Sequence, residues 1–172
     1  HRLEKIAEQI RKKFDLQTAA RDKALAQTRA LTRSCALAIR AVHREETGVM
    51  QEHLDGARQL AEALHRDLAK HPDLYYAGYT QDALKEFAEA SITCALILHK
   101  PLPTPTELAV PHATYMNGLA ESVGELRRRI LDILRKGRII EYEVVVPEGY
   151  NLYQIGWILA KTPLIQEPHE FI

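Results

Sequence analysis

RDKALAQTRALTRSCALAIRAVHRE, residues 21–45, contains neither proline nor glycine, and its apolar residues Leu25, Leu31, Cys35, Ile39 and Val42 recur at the period of an α-helix. Leu3, Ile6, Ile10 and Phe14 extend the same stripe back to the start, so the first segment reads as one long amphipathic helix, with a wrinkle expected around Asp15 to Thr18. All eight prolines lie at or after Pro72, which leaves the first 70 residues free to be almost wholly helical. A second periodic pattern, Met50, Leu54, Leu60, Leu64 and Leu68, begins after Thr47-Gly48 and stops before His71-Pro72, because a residue preceding proline is pushed out of helical geometry. Two long helices with a short connection predict an antiparallel pair.

A third helix is expected from about Thr80 or Gln81 to Lys100, with Asp82 in its first turn suiting the positive end of the helix dipole. Pro101, Pro103 and Pro105 make PLPTPTELAVP an extended loop, and a fourth helix runs from about His112 to Lys136, closed by Gly137. Four such helices make an all-α antiparallel bundle. After Gly137 the character changes: IIEYEVVV alternates like a strand, PEG is a turn, and Asn151 can cap a helix through LYQIGWILAK. The expected organisation is a helical domain over residues 1–137 and a strand-helix appendage over 138–172, too short to fold alone.

The chain has 172 residues, and its 23 Lys and Arg balance 23 Asp and Glu. A neutral balance argues at first against a nucleic-acid binder, but the charge is unevenly spread. Residues 1–45 carry eleven bases against five acids, a segment charge of +6, while residues 46–137 and 138–172 are each at −3. Arg11, Lys12, Arg21, Lys23, Arg29 and Arg33 on the first helix are candidate phosphate contacts, against the alternative of a solvated basic face. Phe14 is the one aromatic on that helix, so base reading by stacking is not indicated.

Two acidic pairs stand out. EFAEASITCALIL, residues 86–98, has Glu86 and Glu89 as its only charges, and YMNGLAESVGEL, residues 115–126, has only Glu121 and Glu125. Spacings of three and four put each pair on one helix face. Four carboxylates on helices that are apolar nearly all round need protons, a basic partner or a metal, and oxygen donors favour a hard cation such as magnesium, manganese or calcium. The alternative is four solvated glutamates. Gly118 and Gly124, which flank Glu121, each weaken the helix by about 1 kcal/mol and predict close approach of another backbone. Arg127, Arg128 and Arg129 can pair with Glu125 or contact phosphate.

Cys35 and Cys94 read as reduced core thiols of a cytoplasmic protein, and the eight histidines as surface or helix-end residues without a metal pattern. No run reaches the roughly 18 apolar residues of a membrane span. Residue 1 is His, not Met, so an upstream segment is expected.

DKALAQTRALTRSCALAIRAVHREE, HPDLYYAGYTQDALKEFAEA and above all YMNGLAESVGELRR resemble, in order and spacing, the translin and translin-associated factor X family over about residues 1–137. The resemblance implies an all-α subunit of a hollow octamer that binds single-stranded RNA or DNA. For the translin-associated factor X branch it implies a magnesium-dependent endoribonuclease site, matching Glu86, Glu89, Glu121 and Glu125. Glu121 stands where that branch more often has Asp, and AGYTQDALKE keeps only Lys85 of a nucleic-acid-binding stretch. The family's last helix is missing after Lys136. Instead, YEVVVPEGYNLYQIGWILAKTPLIQEPHEFI resembles the LysM-like segment of MltG-type endolytic murein transglycosylases. Three functions follow as expectations: a metal-dependent endoribonuclease, a non-catalytic single-strand-binding or assembly subunit, and a cell-wall-associated fragment or fusion.

Overall fold

The computed structural model describes residues 2–137, 148–151, 153, 154 and 157. Over residues 2–137 six helices follow in order: α1 (Arg2–His43), α2 (Thr47–Asp67), α3 (Pro72–Tyr75), α4 (Gly78–Ile97), α5 (Pro105–Leu108) and α6 (His112–Arg135). No strand occurs among the described residues. The chain divides into two compact units, His1–Leu131 and Asp132–Ile172. The expected strand and most of the LysM-like segment lie outside the described residues. The expected cap at Asn151 is present: its Oδ1 accepts from the Gln154 N–H at 3.0 Å, and Gln154 Oε1 accepts from the Asn151 N–H at 2.9 Å.

The helix α1 is unbroken from Arg2 to His43, without the wrinkle expected near Asp15, since nothing in DLQT removes a backbone donor. At about 1.5 Å per residue it is roughly twice as long as its antiparallel neighbour α2. Its C-terminal half therefore packs, contact reaching back to Ala20 on the core and to Gln17, which donates to Asp73 at 2.8 Å, while the residues ahead of Gln17 are mostly exposed. Leu31, Cys35 and Ile39 are buried in one core with Ala57, Ala61 and Leu64 of α2, Leu68 just beyond its end, and Leu84, Phe87, Ala88 and Ile92 of α4. Leu3 is 78% exposed and Phe14 61%, so the stripe read as one continuous core face is, in its first half, uncovered within this chain.

The central helix is α4, buried on nearly every side from Phe87 to Ala95. It begins at Gly78, two residues before the expected start, which leaves Asp82 beyond its first turn. In place of a side-chain cap, Thr80 Oγ1 donates to the Leu74 carbonyl and Gln81 Nε2 to that of Tyr75, both at 2.8 Å, fastening α4 to the one-turn α3. The proline-rich connection holds a helical turn, α5, where an extended loop was expected. Thr104 and Glu107 form a reciprocal capping box around Pro105, and Ala109 closes the turn at φ +53°. Tyr115 of α6 donates to the Pro103 carbonyl at 2.9 Å, so this connection sets where α6 enters. Gly137, at φ +63°, follows α6 as expected.

Cys35 and Cys94 are both buried and free, and burial lifts both thiols, Cys94 to about 12 and Cys35 further, as inert core residues require. No described helix is long and apolar enough to cross a membrane.

Candidate metal centre

Glu86 and Glu89 sit on one face of α4, and α6 crosses that face. Thr114, Gly118 and Ser122 are the buried residues of α6, four apart, so a narrow ridge of small side chains meets α4. At its upper end Thr114 Oγ1 donates to Gln81 Oε1 at 2.6 Å. At its middle a Cβ on Gly118 would stand 2.8 Å from the Lys85 carbonyl oxygen and 2.9 Å from both Ala88 Cβ and Glu89 N. Only glycine permits this approach, and it is the approach that delivers Glu121, three residues on, to Glu86 and Glu89. Gly124 differs from expectation: nothing lies within 4 Å of its would-be Cβ. It points away from α4, so no packing offsets its helix penalty.

One oxygen from each of Glu86, Glu89 and Glu121 lies within 4.8 Å of the others. Glu121 is exposed and Glu86 half-buried, whereas Glu89 is only 8% exposed and receives no hydrogen bond or ion pair among the described residues. Burial, followed by the charges of Glu86, Glu121 and Glu125, pushes its carboxyl up from 4.5 to about 7, with Lys85 opposing. Lys85 lies across the cluster, its Nζ 2.5 Å from Glu121 Oε2 and 3.1 Å from Glu86 Oε1. Burial works against the ammonium, but the hydrogen bonds from Lys85 to Glu121 and Glu86 outweigh it and hold its pKa above the usual value.

Glu125, one turn beyond Glu121, is engaged separately. His43 Nε2 lies 2.7 Å from its Oε2, and Arg128 Nη1 lies 3.6 Å from the same oxygen. Arg129 ties α6 to the α1–α2 turn, donating to the His43 carbonyl and to Glu45 Oε1, each at 2.9 Å. Of the three arginines, Arg128 thus takes the pairing role expected with Glu125. His43 was expected at the surface or a helix end; it ends α1 but is buried, 8% exposed. A signal for this was present, because Leu31, Cys35, Ile39 and His43 continue one stripe at intervals of four.

The basic candidates separate into groups. Arg11 and Lys12 pair with Glu8 at 2.8 and 3.7 Å, and Lys23 pairs with Asp67 at 2.8 Å. Arg21 is exposed on the same helix. Arg29 and Arg33 line an open groove of about 520 Å³ with Tyr79, Asp82 and Glu86, so these two cations share a surface with the acidic cluster. Arg11 and Lys12 lie roughly 25 Å away along α1. Tyr79 supplies an aromatic ring beside the cations that reading the first helix alone missed.

As ligands, the three converging carboxylates are hard oxygen donors, and Glu89 has no hydrogen-bond or ion-pair partner among the described residues. That set fits a magnesium- or manganese-type ion, for which a few carboxylates and open positions suffice.

No protein-family model matches this chain. It is 29% identical over 139 residues to an uncharacterized protein, MJ0175, of Methanocaldococcus jannaschii, a match covering 79% of this chain and 61% of that protein. The chain therefore spans about three fifths of the length of this curated relative. Its fold is similar to the crystal structure of apo-NeC3PO, with a TM-score of 0.71 and 20% identity over 76% of this chain and 69% of that one. It is also similar to the crystal structure of AfC3PO, with a TM-score of 0.69 and 28% identity over 76% and 67% of the two chains. The fold is a translin-like helical bundle.

Proposed function

We propose that the chain is a cytoplasmic translin-like subunit that binds single-stranded RNA or DNA and acts as a magnesium-dependent endoribonuclease, manganese serving in place of magnesium. The observation that carries this reading is the convergence of Glu86, Glu89 and Glu121, an oxygen of each within 4.8 Å of the others, with Glu89 receiving no hydrogen bond or ion pair among the described residues. Glu125 joins them as the fourth acidic group. A cation bound there supplies a Lewis acid that lowers the pKa of a coordinated water and stabilises charge on a phosphodiester.

The chain's own residues do the rest. Glu89 gives up its proton to become a ligand. With Glu86, Glu89 and Glu121 holding a cation, the Lys85 ammonium beside them would be available to a substrate phosphate. Arg29 and Arg33 draw the strand into the groove that opens on Glu86, and Tyr79 offers a ring for one base. The uncovered stripe Leu3, Ile6, Ile10 and Phe14 of α1, with Met116, Val123 and Ile130 on the outer side of α6, is surface that further subunits of a homo-oligomer would cover. The resemblance to the translin family makes that homo-oligomer an octamer.

One observation favours a second reading. Lys85 already bridges Glu86 and Glu121, as an internal ion pair would in a non-catalytic single-strand-binding subunit. Cleavage of a labelled single-stranded RNA with magnesium or with chelator, in the wild type and Glu121→Gln, separates the two. Magnesium-dependent turnover lost in Glu121→Gln supports the nuclease. Salt-sensitive binding with no turnover in either protein supports the binder.

A further inference from the structure

This inference rests on the reading of the carboxylate cluster as a divalent-cation site and extends it to a residue that reading does not use. Within the cluster Glu89 is 8% exposed as a residue and receives no hydrogen bond or ion pair among the described residues, which leaves its carboxylate available to a ligand. The question is what Glu125 does beside it. A carboxylate can only accept, so at the 2.7 Å contact the donor is His43 Nε2–H. Both neighbours of Glu125, His43 and Arg128, address Oε2, and Oε1 has no protein partner among the described residues.

The imidazole is itself fixed. His43 is buried at the end of α1, its carbonyl takes a 2.9 Å hydrogen bond from Arg129, and Arg129 is steadied by Glu45. Glu45 holds a left-handed conformation, φ +65°, in the turn to α2. The end of α1 is thus built to present a ring N–H to α6 one turn past Glu121. An exposed cation, Arg128, lies 3.6 Å from the same oxygen that His43 holds at 2.7 Å.

We propose that His43 is a positioning residue of the cation site: it holds Oε2 of Glu125, the oxygen that also faces Arg128, and leaves Oε1 as the fourth donor to a divalent cation or its bound water. Partners that orient ligating carboxylates typically change metal affinity by 10–100-fold when removed. His43→Leu therefore weakens manganese binding about tenfold. His43→Gln, whose amide N–H reaches a similar position, stays within about threefold of the wild type. In a Glu125→Ala background, His43→Leu has no further effect, because the group it positions is gone.

The test is titration with Mn²⁺, free ion being followed by electron paramagnetic resonance, on the whole chain as wild type, Glu89→Gln, His43→Leu, His43→Gln and the Glu125→Ala pair. Thermal melting in chelator accompanies each. Should His43→Leu not fold, His43→Asn replaces it, its shorter amide falling short of Glu125. Tenfold weakening with rescue by Gln supports the proposal. Wild-type affinity in His43→Leu overturns it while leaving the cation site intact, as does equal weakening by Leu and Gln in folded proteins. Absence of Mn²⁺ binding in the wild type overturns the cation site and this inference with it.

Discussion

Replacing Glu89 with glutamine is expected to stabilise the metal-free protein while removing its response to metal. The Glu89 carboxyl is raised from 4.5 to about 7, first by burial and then by the neighbouring glutamates. Each tenfold change in proton affinity is about 1.4 kcal/mol, so the ionised group costs the fold about 3 kcal/mol at pH 8. Glutamine removes that charge but leaves a buried amide without a protein partner, returning about 1–2 kcal/mol of the gain. The net expectation is a variant about 1–2 kcal/mol more stable at pH 8. The sign follows from the protons bound. Below about pH 4.5 the carboxyl is protonated in both folded and unfolded chains and makes no difference. Between about 4.5 and 7 the folded chain keeps a proton that the unfolded chain has released, so wild-type stability falls as pH rises. Above about 7 the cost is constant. Urea unfolding in chelator at pH 5 and pH 8 reads this directly: near equality, or a slight wild-type advantage, at pH 5 and a more stable variant at pH 8. Saturating magnesium at pH 8 then stabilises the wild type by binding the folded state and leaves the variant unmoved. A variant less stable than the wild type at pH 8 in chelator, or equal magnesium stabilisation of both, would refute the reasoning.

Other consequences are equally specific. Gly118→Ala places a methyl group against the α4 backbone and is expected to cost about 1–3 kcal/mol and weaken metal binding, as melting and Mn²⁺ titration would show. Gly124→Ala, with open space around it, should instead stabilise by about 0.5–1 kcal/mol in the same melting assay. Magnesium affinity measured by calorimetry should rise about tenfold per pH unit up to about pH 7 and then level, because Glu89 must lose one proton to bind the ion. Single-stranded RNA binding should weaken more for Arg29→Ala with Arg33→Ala than for Arg11→Ala with Lys12→Ala, in filter binding at fixed salt, because only the first pair lines the groove at Glu86.

The four long helices and their order were legible because proline placement and apolar period report on the backbone directly, whereas the one-turn α3 and α5 were not. Glu86, Glu89 and Glu121 stood out because charge is rare from Phe87 to Leu98 and on the first half of α6, and these three converge, whereas Glu125 meets His43. What local pattern cannot report is which neighbour a face meets. The first half of α1 has the same period as its second half, yet α2 is too short to cover it. Gly118 and Gly124 look alike in sequence, but their spacing of six residues puts them on different faces of α6, and only one meets α4. Asp82 fell outside the first turn of α4 because distant carbonyls at Leu74 and Tyr75 fasten that helix start. The turn α5 carried its own signal, Thr104-Pro-Thr-Glu107, which the surrounding prolines masked. His43 lay on the buried stripe in plain view, and its partner 82 residues away gave its position meaning.

The central claim is that Glu86, Glu89 and Glu121 are cation ligands and not an ion-pair network closed by Lys85. Anomalous scattering from crystals of the protein grown with Mn²⁺ addresses it most directly. The account predicts one peak about 2.1 Å from an oxygen of each glutamate, with Lys85 Nζ withdrawn from Glu86 and Glu121. Lys85 bridging the two carboxylates with no peak between them would contradict it.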